Sequence, residues 1–132
     1  MRRRLQTGQA LVEASLVTVL FVVILFGLID FARIVWSYTM IANAAREATR
    51  FAMVHGSASG NAASVTQIQG IVISRSPGIL PAMLTTTVSF SPDQSPGSTV
   101  TVAVTYKVYP IAPYIPVGPL NVTSNSQRII YQ

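Results

Sequence analysis

Residues 14–29, ASLVTVLFVVILFGLI, carry no charge, and the whole stretch 9–29 is almost wholly apolar. About twenty residues at roughly 1.5 Å each cross the roughly 30 Å hydrocarbon layer of a bilayer. Gln9, Glu13, Ser15 and Thr18 interrupt the run. The two hydroxyls can return to helix carbonyls, so they need not break a membrane helix. From Phe31 the pattern becomes amphipathic. Phe31, Ile34, Tyr38, Ile41, Ala45, Ala48 and Ala52 follow in steps of three and four. This heptad stripe predicts one continuous helix face. Its side chains turn small after Ile41, so a neighbour could approach its distal half closely. Arg33, Asn43, Arg46, Glu47 and Arg50 lie opposite. No proline interrupts residues 9–54, and His55-Gly56 gives a stop. The prediction is one helix of about 45 residues, near 70 Å long by helix rise.

A Ser/Gly/Ala linker at 56–64 leads to VTQIQGIVISRS, residues 65–76, whose apolar spacing predicts a short second helix ended by Pro77-Gly78. The period then changes. Residues 84–90 and 98–109 alternate and are rich in Thr, Val and Tyr, as strands prefer. SPDQSPG between them predicts a hairpin loop. PIAPYIPVGP, residues 110–119, has too much proline for a regular ladder. Residues 120–131 read as a last strand. The fold class is therefore α+β. A long N-terminal helix, its first half transmembrane, precedes a short helix and a small, mainly antiparallel sheet. The expected divisions are a basic leader at 1–8, the long helix at 9–54 with its span ending near 30, and a small extracytoplasmic domain at 55–132.

The net charge of +5 does not mark a nucleic-acid binder. Arg2, Arg3 and Arg4 precede the apolar span, which is the positive-inside arrangement. It places the N-terminus in the cytoplasm. No basic face interleaved with aromatic contacts is expected on the folded part. The chain has no cysteine, one histidine and four carboxylates without ligand spacing. Thiolate chemistry is excluded, and no metal or other cofactor is expected. No nucleophile elbow or His-Asp set accompanies the serines, so no enzyme is expected. His55 reads as a helix C-terminal residue favoured by the dipole. Asn121-Val122-Thr123 fits a glycosylation sequon, a motif short enough to arise by chance.

Glu13 is the feature that needs an explanation. A carboxylate at membrane depth costs on the order of 2–3 kcal/mol. Cleavage after Gly8 would make Gln9 the first residue and Glu13 the fifth. A free α-amino group would then stand one helical turn from a carboxylate. In a helical polymer, one subunit's carboxylate could meet its neighbour's amine, each offsetting the other's desolvation. Asp30 and Arg33, spaced i, i+3, read as anchors at the outer interface, with Trp36 and Tyr38 beyond them. Glu47 can pair with Arg50 at i+3. Arg46, Glu47 and Arg50 read first as a solvated helix face.

Gly8 with Glu13 resembles the processing site of type IV prepilins. GLIDFARIVWSYTMIANAAREATRFAMVHG, residues 27–56, resembles the characteristic block of TadE-like pseudopilins: Gly27, Asp30, Arg33, then Ala44-Ala45-Arg46-Glu47-Ala48-Thr49-Arg50. VTVAVTYKVYPIAP resembles that family's alternating strand with its proline-rich sequel. The resemblance implies a pilin-like fold and a minor-pilin role in the bacterial tight-adherence (Flp) pilus, in its biogenesis and in surface adhesion. It implies cleavage by a prepilin peptidase between Gly8 and Gln9, and Glu13 as the assembly carboxylate. It implies an inner-membrane assembly machine and other pilin or pseudopilin subunits as partners, besides the lipid bilayer. It also raises a docking role for Asp30, Arg33, Arg46, Glu47 and Arg50, because Ala44, Ala45 and Ala48 would permit close helix approach. Gln9 departs from classical type IV pilins, which usually place Phe or Met there. Ala48 stands where the family often has Gly, and Ala is the better helix former.

Two other classes remain open on the residues alone. A permanent single-pass anchor presenting a small binding domain would retain the leader. A secreted domain would use Ala42-Asn43-Ala44 as a signal-peptidase site, although that site lies far behind the apolar run.

Overall fold

The computed structural model describes residues 2–111 and 118–131, with side chains from Gly8 onward. The side chains of the arginine leader and residues 112–117 of the proline-rich stretch therefore lie outside the described residues. The first element is a single α-helix, α1, Arg2–Val54. At about 1.5 Å per residue it is roughly 80 Å long. Its apolar part stands alone. Leu11, Leu16, Val19, Leu20, Phe21 and Ile24 are all exposed. An isolated apolar surface of this length is unfavourable in water and favourable in lipid. Ser15 Oγ and Thr18 Oγ1 donate to the carbonyls of Val12 and Ala14, each at 2.8 Å, so neither hydroxyl is left unbonded on the apolar surface.

The second helix, α2, is Val65–Ser74. Ser64 caps it in a reciprocal box: Gln67 N–H donates to the Ser64 hydroxyl, and Ser64 N–H donates to the Gln67 side chain. The expected helix ran to residue 76. Arg75 and Ser76 instead close the last turn through N–H bonds to Ile71 O and Ile73 O. Gly78 lies in the left-handed region at φ +80°, and a Cβ there would stand 3.0 Å from the ring of Trp36. Glycine thus permits both the turn and its contact with α1.

Three strands follow: β1 Leu84–Ser91, β2 Thr99–Val108 and β3 Leu120–Ile129. They form one antiparallel sheet in the order β1-β2-β3. Val100, Val102 and Val104 of the central strand are fully buried on one face. They meet Ile41, Ala44, Ala45, Ala48 and Ala52 of α1 and Ile68 and Val72 of α2. Each fully buried Val contributes roughly 1.5–3 kcal/mol.

The predicted helix stripe holds only in part. Ile41, Ala45, Ala48 and Ala52 are buried, but Phe31 and Tyr38 are exposed. Asp30 and Ser37 occupy the inward side at that level, and both are buried. The close neighbour admitted by Ala44, Ala45 and Ala48 is the chain's own sheet. Those alanines are therefore unavailable as a helix-docking surface, which corrects that expectation.

Candidate functional site

Gly8, Gln9 and Glu13 lie on one uninterrupted stretch of α1. All three are exposed, and nothing would meet a Cβ at Gly8 within 4 Å. Helix periodicity puts Gln9 and Glu13, at i and i+4, on one face. Among the described residues Glu13 makes no ion pair. On a helix surface that meets lipid, a carboxylate without an internal partner would be costly, and a cation from another chain would relieve that cost.

Asp30 and Arg33 sit at the far end of the apolar span. Asp30 is 7% exposed. Its Oδ1 accepts from Arg33 Nη1 at 3.3 Å. Its two oxygens also accept the Ile111 N–H at 3.0 and 3.1 Å. Arg33 Nη1 reaches Tyr109 O at 3.4 Å. The pair expected to mark an interface therefore also clamps the exit of β2 onto α1. Charge-assisted bonds of this kind are worth more than neutral ones.

Arg46, Glu47 and Arg50 lie exposed on the opposite side of α1 from the core. They line a groove of about 550 Å³ together with Met53, Arg128 and Tyr131. A second groove of about 400 Å³ continues from Glu47 and Arg50 toward Arg75 at the end of α2. The expected Glu47–Arg50 ion pair does not form. Among the described residues the one ion pair is Arg33–Asp30. Exposed side chains lose rotamer freedom on pairing and gain little in water, so the two stay separately solvated.

Arg128 escaped the sequence reading. It shares the even-numbered phase of Val122, Ser124 and Ser126 on β3, all half-buried on the side toward α1. That phase was available from the alternation alone. Thr49, also fully buried, fixes the helix and strand together. Its Oγ1 donates to Ala45 O at 2.6 Å and lies 3.4 Å from Ser126 O.

His55 stacks on Phe51 at a centroid distance of 4.1 Å, and its Nδ1 is 2.9 Å from Phe51 O. It follows directly on the last residue of α1 and closes that end of the helix.

No curated protein and no solved structure matches the chain. A family model does match, over residues 8–50, and its description is TadE-like protein. The matched stretch starts at the candidate processing glycine, ends at Arg50, and leaves the sheet outside it. Over Gly8 to Arg50 the chain is similar to TadE-like proteins.

Proposed function

We propose that this protein is a pilin-like structural and assembly subunit, a TadE-like pseudopilin, of a bacterial tight-adherence Flp pilus. In this role it supports pilus biogenesis and surface adhesion and performs no catalysis of its own. The observation that carries the reading is the TadE-like match beginning at Gly8, on a helix long and apolar enough to cross a membrane. Before assembly the apolar half of α1 is held in the cytoplasmic membrane, with the N-terminus inside and the folded domain outside. A prepilin peptidase cuts between Gly8 and Gln9. The assembly machinery of the inner membrane then moves the subunit toward other pilins or pseudopilins. Glu13, exposed on the lipid-facing surface, receives the new α-amino group of a neighbour. Each charge lowers the desolvation cost of the other, and losing one partner leaves the other unpaired.

The test has two stages. Mass spectrometry of the protein from its native host should give a mature chain starting at Gln9. A start at Met1 would instead identify a permanent anchor. The Glu13→Ala variant should still be cut and inserted but should assemble few or no pili. Normal piliation by that variant would overturn the assembly role of Glu13.

A further inference from the structure

We infer that the membrane-proximal end of the folded domain seats on the bilayer, so that the domain is held against the leaflet by its own side chains as well as by α1. The inference rests on the reading of α1 as a membrane span. Four separate segments bring large apolar side chains to this end. α1 supplies Phe31 and Trp36, 63% and 47% exposed. The turn after α2 supplies Leu80, 58% exposed, two positions beyond the Gly78 that lies against Trp36. The exit of β2 supplies Tyr109 and Ile111, 51% and 52% exposed and held at the level of Asp30 and Arg33 by the bonds already described. The start of β3 supplies Leu120, paired with Val108 and 40% exposed.

Such a collection of exposed apolar groups needs a partner. What covers it follows from continuity. Phe31 lies one residue past the apolar stretch Leu11 to Ile29 on the same helix, and Asp30, at the join, is buried and bonded to the Ile111 N–H. A bilayer that surrounds Leu28 and Ile29 reaches the ring of apolar groups without a gap. The polar groups at this level also fit. Trp and Tyr favour the headgroup zone, where an apolar ring and a polar edge are both satisfied. Arg33 and the exposed Lys107 are the cations nearby, and Asp30 is already bonded to Arg33. Arg33 and Asp30 offset each other, so Lys107 gives the apolar seat its net positive charge, which suits anionic headgroups. Long basic side chains can lie along the apolar surface with their charges in the headgroups.

The chain has no cysteine, so single nitroxide labels can report depth directly. Four variants of the full chain, L20C, L80C, I111C and N61C, would be labelled and reconstituted in vesicles of phosphatidylethanolamine and phosphatidylglycerol. Collision with dissolved oxygen would be compared with collision with a water-soluble nickel chelate. Leu20 lies in the span, and Asn61 is exposed at the membrane-distal end. The seated domain predicts an oxygen-to-nickel ratio at L80C and I111C several-fold above that at N61C and below that at L20C. Exchanging the anionic lipid for phosphatidylcholine should lower both ratios. Water-like values at L80C and I111C, with L20C deep in lipid, would overturn the seating alone. A water-like L20C would overturn the membrane reading beneath it. Protection of L80C and I111C from both reagents, with spin–spin broadening that grows with protein density, would assign the patch to a second copy and overturn lipid as its occupant.

Discussion

The carboxylate of Asp30 holds the backbone N–H of Ile111, 81 positions away in the chain, with both oxygens within 3.1 Å. This bond fixes where the long helix leaves its apolar half and where β2 ends. It also makes a testable difference between two similar substitutions. Asp30→Ala leaves the Ile111 N–H without its acceptor and Arg33 without its ionic partner. For a part-buried donor this loss stays at or below the roughly 1–3 kcal/mol of a fully buried one. Asp30→Asn keeps one carbonyl acceptor and should lose less. Denaturant unfolding in detergent micelles should rank the proteins wild type, Asp30→Asn, Asp30→Ala in falling stability. Amide exchange at Ile111 should accelerate in the same order. Equal stability of Asp30→Ala and wild type would show that the clamp contributes nothing.

The alanines of α1 set how closely the sheet approaches. Ala45 and Ala48 have no exposed surface and face the valines of β2. Ala48→Leu adds three carbons where no space exists, so side chains must leave their rotamers or the sheet must move away. Overpacking of this kind typically costs about 1–3 kcal/mol. Ala48→Gly opens little space and mainly loosens the helix, at about 1 kcal/mol. Thermal unfolding of both variants should therefore show two losses, the larger for leucine. A leucine variant as stable as wild type would mean that the sheet does not rest on this helix face.

Much of this arrangement was legible along the chain, and the failures have physical causes. Val100, Val102 and Val104 announce a buried strand face because a period of two is local and needs no partner to be seen. The length of α1 was legible because no proline or turn cluster interrupts it. The inward side of its proximal half was misread, since apolarity pointed to Phe31 and Tyr38 while Asp30 and Ser37 face inward. Hydrophobicity marks the core only where the alternative is water. At the end of a membrane span the alternative includes lipid, so large apolar residues can face outward and a hydrogen-bonded carboxylate can face in. The groove beside Arg46 was half legible. Its helix residues lie close together in sequence, whereas Arg128 reaches it only because β3 lies over α1.

Asp93 gives the hairpin loop a pH response with a defined sign. The hydroxyls of Ser95 and Ser98 donate to it, as does the Ser95 N–H. The Ser95 hydroxyl leads these bonds, and together they lower its carboxyl to about 2, from an ordinary value of 3.8. Each bond favours the charged form. A carboxyl depressed by folding adds stability above its unfolded value, and that stability disappears as the pH falls through the folded value. The window is therefore pH 4 down to about 2. Wild type should be more stable than Asp93→Asn above this window, and the difference should shrink across it. Urea unfolding at a series of pH values checks this. A constant difference down to pH 2 would show that the serines do not hold the carboxylate charged.

Arg46 and Arg50 should separate folding from assembly. Both are exposed, neither forms an ion pair among the described residues, and the groove they line with Arg128 contains Glu47 as its acidic side chain. Changing exposed, unpaired charges usually alters stability by no more than about 0.5 kcal/mol. The double variant R46E/R50E should therefore fold, insert and melt much as wild type does. A cycle of Glu47→Ala and Arg50→Ala should show coupling near zero, since the two side chains are solvated apart. The reversed charges would nonetheless turn the groove from net positive to net negative. If another subunit or an assembly component docks there through acidic groups, pilus number should fall sharply while the level of membrane-inserted protein stays constant. Counting pili by electron microscopy against immunoblots of the membrane fraction reads both quantities. Full piliation by R46E/R50E would return this face of the helix to a solvated surface. Loss of the inserted protein along with the pili would instead show that these arginines act through folding, against the exposure the structure gives them.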